Sequence, residues 1–279
     1  MKRSASFLAA VAVAAALTAH AADDPGFPIE VMKPDGDGPF PAVVMLHDCS
    51  GLGPRSSGAP KRWAKELVAH GYVVAIPDSF GTRGFPNGTC TDSSPRRVDV
   101  GPFKRVDDAY RTLDYLRALP YVKADRIGVM GGSHGGSTTL ATISTGPRDP
   151  KPERKKNGFA AAVALYPGCD IGRPTFDSWY QTLTPLLILS GELDDWTPAK
   201  PCEKLADSAR AHGSDVTIKV YPGAHHSFDN DRPERYVATR NNAHAAGGRG
   251  ATTGGNPVAW KDSIAQVDAF FARHLGGRP

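Results

Sequence analysis

The chain has 279 residues, of which 40% are hydrophobic and 22% charged, and its formal net charge is +4. Such a chain suits one large domain with a sizeable core. Without Lys2 and Arg3 the charge falls to +2, which is no nucleic-acid footprint.

The chain opens with Met1-Lys2-Arg3, then an apolar run from Phe7 to Leu17, then Ala19-His20-Ala21. A basic start, an apolar run too short to cross a bilayer and an Ala-x-Ala site predict a secretory signal peptide over residues 1–21. Residues 22–279 are then one exported domain, periplasmic or extracellular, and no later stretch is apolar enough to span a membrane. After a weakly patterned segment with Phe27, Ile29 and Val31, strands and helices alternate, which predicts a mostly parallel sheet with helices on both faces. Strands are predicted near 42–47, 72–77, 126–131, 160–166, 186–190 and 216–221. A helix near 60–70 opens at Pro60 and stops at Gly71, and one near 103–118 lines up Val106, Tyr110, Leu113 and Leu116. The helix near 198–212 has Thr197 as its cap and Pro198 as its first residue, and the last helix follows Asn256-Pro257 with an inward stripe of Ile264, Val267, Phe271 and Leu275. Lys151, Arg154, Lys155 and Lys156 read as a solvated loop. Residues 229–256 break the rhythm, and a long loop leaving a candidate catalytic histidine reads as a flexible lid.

The chemistry sits at strand ends. Gly131-Gly132-Ser133-His134-Gly135 is a Gly-x-Ser-x-Gly placed where an apolar run meets a helix-like run, a candidate nucleophile elbow. A serine hydroxyl needs a general base and an acid to orient that base. Asp194 follows the strand Leu186–Ser190, and His226 follows the strand Val216–Tyr221. The order Ser133, Asp194, His226 is that of an α/β-hydrolase fold. His134 matters through its backbone N–H, one expected donor to the oxyanion.

The sequence resembles the dienelactone hydrolase family of α/β-hydrolases. The resemblance rests on Pro39-Phe40-Pro41-Ala42-Val43-Val44-Met45-Leu46-His47, on Gly71 to Asp78, on the elbow, on Gly191-Glu192-Leu193-Asp194-Asp195-Trp196-Thr197-Pro198 and on Tyr221 to Phe228. It implies Asp194 over Asp195 as acid, His226 over His225 as base, and the N–H of Cys49, with Asp48 beside it, as the second oxyanion donor. It also implies a serine-bearing esterase branch, because the namesake enzymes use cysteine. Those enzymes hold a substrate carboxylate with two arginines. Here Arg83 lies one position off the first site and Asn230 occupies the second, so neutral short-chain esters are the expected substrates and Arg83 is a displaced substrate contact. Arg232 and Arg235 are the residues that could reverse this expectation by folding over the site. Trp196 either lines the acyl pocket or packs the strand end.

Four cysteines in an exported chain allow three disulfide pairings. The fold order argues for Cys49 with Cys90 and Cys169 with Cys202, and the second bridge is worth about 3 to 4 kcal/mol in the chain-entropy model. No Cys-x-x-Cys or clustered histidine spacing calls for a metal, and no cofactor is expected. The reading is a secreted serine carboxylic-ester hydrolase for a small-molecule ester. A peptidase or acyltransferase on the same triad is the alternative enzyme, and a silent binding protein on a hydrolase scaffold is the alternative outside enzymes.

Overall fold

The structure is a computed structural model and describes residues 25–145, 157–170 and 180–276. The predicted signal peptide and the basic run from Lys151 to Lys156 lie outside the described residues.

Among the described residues seven strands form one sheet in the order β1-β3-β2-β4-β5-β6-β7, with β1 Ile29–Met32, β2 Phe40–Leu46, β3 Val73–Pro77, β4 Val122–Gly132, β5 Ala161–Leu165, β6 Leu186–Gly191 and β7 Val216–Tyr221. β2 to β7 pair in parallel, while β1 runs antiparallel to β3 with Ile29 opposite Pro77. The weakly patterned N-terminal segment is therefore a strand. Its alternation is faint because an edge strand buries little, and among the described residues only β3 flanks it. The central strands are apolar on both sides because helices cover both faces: Val43, Val44, Met45 and Leu46 are at most 1% exposed, and burying each such side chain is worth roughly 1.5 to 3 kcal/mol.

The helices are α1 Ala59–Ala69, α2 Val106–Arg117, α3 His134–Ile143, α4 Ala199–Ala211 and α5 Pro257–Leu275. One face of the sheet packs α2, α3 and α4 around Leu113, Leu140, Ile188 and Leu205, and the other packs α1 and α5 around Trp63, Val163, Val267 and Phe271. Asn256 caps α5 by accepting from Ala259 N. The cap of α4 differs from the sequence expectation. Pro198 holds the cap position, and Thr197 turns its hydroxyl towards Asp194 and His226 instead.

Residues 229–256 are not an unpatterned loop. They fold into a hairpin of β8 Arg235–Asn241 and β9 Arg249–Thr253, antiparallel and separate from the main sheet. Thr253 bridges to His226, Asn241 N donates to Cys90 O at 2.9 Å, and Asp195 accepts from Thr252 N and Oγ1. The hairpin thus docks on the carboxyl ends of the strands. Among the described residues no helix is long and apolar enough to cross a membrane.

Candidate active site

The elbow is built by steric exclusion. β4 ends at Gly132 and α3 begins at His134, leaving Ser133 at φ 52° and ψ −117°. A positive φ on a serine stores about 1 to 3 kcal/mol of strain. The turn is that tight because Gly131 and Gly135 touch backbone: a Cβ on Gly135 would lie 2.1 Å from Leu46 O, and one on Gly131 2.5 Å from Gly135 C. Any side chain there pushes α3 away from β2.

Three strand ends converge at this turn. His226 Nε2 lies 2.9 Å from Ser133 Oγ, and His226 Nδ1 lies 2.8 Å from Asp194 Oδ2. All three side chains are buried. Asp194 is fixed by its own loop, since Oδ1 accepts from Trp196 N at 2.9 Å and Thr197 N at 2.8 Å. The Thr197 hydroxyl stands 3.0 Å from Asp194 Oδ2, 3.0 Å from Tyr166 O and 2.9 Å from His226 Nδ1. Sequence reading missed this role, because Thr-Pro before a helix also reads as a cap. The imidazole is held between aromatic rings, Trp196 at 4.6 Å and Tyr166 at 4.8 Å between centroids. Asp195, the rival acid, points into the hairpin, and His225 faces Glu234 rather than Ser133.

Behind the histidine loop lies a buried network that the sequence did not announce. Asp229 accepts from Trp63 Nε1 at 2.7 Å and from the Tyr166 hydroxyl at 2.9 Å, and Arg62 donates to its carbonyl. Burial pushes the Asp229 carboxyl above the usual carboxylate range despite those donors, and it pushes the Tyr166 hydroxyl well up, so that this group remains a donor.

Cys49 and His134 flank Ser133, and neither N–H donates to a backbone acceptor among the described residues. Cys49 is bonded to Cys90, and Cys169 to Cys202. Asp48 lines the cleft, but its carboxylate is occupied by Ser50 N, Ser50 Oγ and Ser57 Oγ. It shapes the loop rather than facing a ligand with free oxygens. Among the described residues Asp48, Cys49 and Cys90 form a compact group of ligand-type atoms, yet the two sulfurs are bonded to each other and offer no thiolate.

Arg83 is a correction. Its guanidinium forms a two-pronged pair with Asp108, at 2.7 and 2.6 Å, and donates to Ser79 O. Asp108 holds the Arg83 charge firmly, raising its pKa, and Arg83 lines neither cleft beside Ser133. Instead, four arginines line the narrow cleft with Ser133, His226 and Asn230: Arg55, Arg232, Arg235 and Arg240. Arg240 stacks over Trp196 at 5.3 Å, and its Nε is buried without a partner among the described residues. Burial lowers the Arg240 pKa. The other side of Ser133 opens into a wider cavity of about 940 Å³ walled by Cys49, Val98, His134, Gly168, Trp196 and Asn242. Trp196 thus lines both clefts, and its Nε1 also donates to Asn241 O at 2.7 Å, tying the acid loop to the hairpin.

A parallel sheet ending in a strained serine turn, with helices on both faces, defines an α/β-hydrolase. Residues 27–249 match the family model described as the dienelactone hydrolase family, and the chain belongs to that family. It is accordingly a carboxylic-ester hydrolase. A putative carboxymethylenebutenolidase of Yersinia pestis is 26% identical over 225 residues, covering 76% of this chain and 77% of that protein. A putative dienelactone hydrolase from Klebsiella pneumoniae superposes with a TM-score of 0.62 at 20% identity, covering 88% of this chain and 93% of the other. Esterase 2 of Thermogutta terrifontis, phosphorylated by paraoxon, superposes with a TM-score of 0.62 at 17% identity, covering 88% of both chains.

Proposed function

We propose that the protein is an exported serine esterase that works through an acyl-enzyme and favours esters bearing a negative charge. The observation that carries the mechanism is the continuous chain Ser133 Oγ, His226 Nε2, His226 Nδ1, Asp194 Oδ2, with links of 2.9 and 2.8 Å. His226 takes the serine proton as Ser133 attacks the carbonyl, and Asp194 orients the ring and stabilises its cationic form. The N–H groups of Cys49 and His134 receive the oxyanion. His226 then returns the proton to the leaving alcohol, and water releases the acid by the same route. Two disulfides among the described residues support an oxidising compartment.

The charge preference reverses the neutral-ester expectation. That expectation assumed a single arginine near Arg83, whereas the cleft beside Ser133 is lined by four arginines and one carboxylate already occupied by hydroxyl and amide donors. A carboxylate on the substrate would find there the paired cations that desolvation demands.

The test is turnover of p-nitrophenyl butyrate together with fluorophosphonate labelling. Ser133→Ala and His226→Ala are expected to lower kcat by roughly 10⁴-fold or more, the double variant being little worse because the residues act as a unit. Asp194→Asn is expected to lose far more activity than Asp195→Asn. Full activity in Ser133→Ala would sink the mechanism.

A further inference from the structure

Arg105 is completely buried, precedes the first turn of α2 and belongs to no step described above. A single nitrogen of its guanidinium, Nη1, donates to His47 O at 2.9 Å and faces His134 Nδ1 at 2.8 Å. Its Nε and Nη2 have no partner among the described residues. Asp108, the acid that acts on it most strongly, has both oxygens occupied by Arg83. A side chain needed only to fill this space would be apolar, because a buried cation without a carboxylate is expensive. The charge has a different use.

The two segments that Arg105 joins are those that carry the oxyanion donors. His134 bears one donor on its backbone. On the other side, His47 Nδ1 lies 2.8 Å from Asp48 O, and that carbonyl belongs to the same peptide group as the N–H of Cys49. His47 Nε2 accepts from Ser79 N, so Nδ1 carries the proton and donates. A donor on a peptide carbonyl polarises the group and strengthens its N–H. Phe80 locks the cluster, standing 4.5 Å from the His47 ring, 5.5 Å from the His134 ring and 5.0 Å from the guanidinium.

We propose that Arg105 is a positioning residue for ester hydrolysis, bracing the Cys49 and His134 donors from behind and setting a fixed positive charge near the oxyanion. The proposal rests on the Ser133 reading above. Burial and the arginine keep both histidines neutral by lowering their pKa well below the ordinary value. His134 Nδ1 is then free to accept from Arg105, whose own pKa is lowered by burial to about 10 and leaves it charged at neutral pH. The charge acts on an oxyanion more than on the neutral ester carbonyl. Its effect falls on kcat and not on substrate affinity.

The experiment uses the exported enzyme and its Arg105→Met and Arg105→Lys variants. It measures kcat and KM on p-nitrophenyl butyrate and the affinity of an aryl trifluoromethyl ketone, which forms a tetrahedral oxyanion on the serine. Arg105→Met is expected to lower kcat and ketone affinity by the same factor, about tenfold to a hundredfold, with KM held within about threefold. Arg105→Lys is expected to restore part of both losses. A fall in kcat with unchanged ketone affinity, or a rise in KM with unchanged kcat, overturns the proposal. Should Arg105→Met fail to fold, His47→Asn and His47→Phe read the same brace, since asparagine keeps a donor near the Nδ1 position and phenylalanine does not. Asparagine is expected to exceed phenylalanine in kcat by about tenfold, and equal rates overturn the proposal. Turnover surviving in Ser133→Ala would defeat the serine mechanism itself, a result separate from every Arg105 outcome.

Discussion

The charge preference proposed for the cleft rests most on Arg240. Its Nε is buried without a partner among the described residues while its plane stacks on Trp196, so a substrate carboxylate would supply an acceptor to a partly desolvated cation. Such a charge-assisted bond contributes about 1.5 to 3 kcal/mol, which is roughly tenfold to a hundredfold in kcat/KM at about 1.4 kcal/mol per decade. Arg55, Arg232 and Arg235 are more exposed and each adds no more than about 1 kcal/mol. The two contributions separate in salt. Exposed charges are screened beyond about 3 Å at 1 M ionic strength, whereas a partly buried pair is screened much less. The assay is kcat/KM for p-nitrophenyl butyrate against the p-nitrophenyl monoester of glutaric acid, at low and high salt. The expected result is a preference of at least about tenfold for the charged ester that shrinks but persists in high salt. Arg240→Met removes the persistent part, and Arg232→Gln with Arg235→Gln removes the salt-sensitive part. Equal rates for both esters, or a preference untouched by Arg240→Met, would refute the reasoning.

Thr197→Val deletes the hydroxyl between Asp194, Tyr166 O and His226, and is expected to lower kcat by about tenfold with a small change in melting temperature, read from steady-state kinetics and thermal unfolding. Serine replacement of Cys49 and Cys90 is expected to remove about 4 kcal/mol of stability and to lower kcat as well, because the bridge fixes the oxyanion loop, whereas the Cys169 and Cys202 pair removes about 4 kcal/mol with little effect on kcat; denaturant melts and kinetics of the two double variants check this. Asp229 has a folded-state pKa raised by burial, so its contribution to stability is fully present below the unfolded carboxylate pKa and is lost as pH rises through the folded value. Asp229→Asn, which cannot ionise, is expected to flatten that fall, and a variant whose stability keeps the wild-type slope just above the ordinary carboxylate range would contradict it.

The strand-end placement of Ser133, Asp194 and His226 was legible because it is local. Apolar runs such as Leu186 to Ser190 stop abruptly at turn residues, and whatever follows a parallel strand at its carboxyl end lands on the same edge of the sheet. Ser133, Asp194 and His226 therefore come together from order alone. The hairpin was not legible, because β8 buries little and Arg235-Tyr236-Val237-Ala238-Thr239-Arg240-Asn241 has no clean alternation, while β9 is buried at Gly250, Ala251 and Thr253 yet carries no large apolar side chain to mark a strand. Arg105 was hidden for a different reason. An arginine beside a helix start ordinarily reads as solvated, and nothing in its neighbours reveals that Phe80 and two histidines will enclose it.

The hairpin also couples properties that the sequence presents as separate. β8 carries Arg235 and Arg240 to the cleft, while its end, Asn241, holds Trp196 through its carbonyl and Cys90 through its amide. β9 holds Asp195 through Thr252 and meets the His226 backbone at Thr253. The cleft arginines of β8, the Cys49–Cys90 disulfide and the loop that carries Asp194 and Trp196 are thus one connected unit. A substitution that loosens the hairpin without touching a charged residue, such as Asn241→Ala, which removes the side-chain bonds to Thr89 O and Asp92 O and leaves the backbone ones, should therefore lower kcat and the preference for the charged ester together. A substitution of Arg232 or Arg235 should alter the preference alone. Independent movement of the two quantities in Asn241→Ala would show that the ribbon merely lies over the site and does not help to hold it.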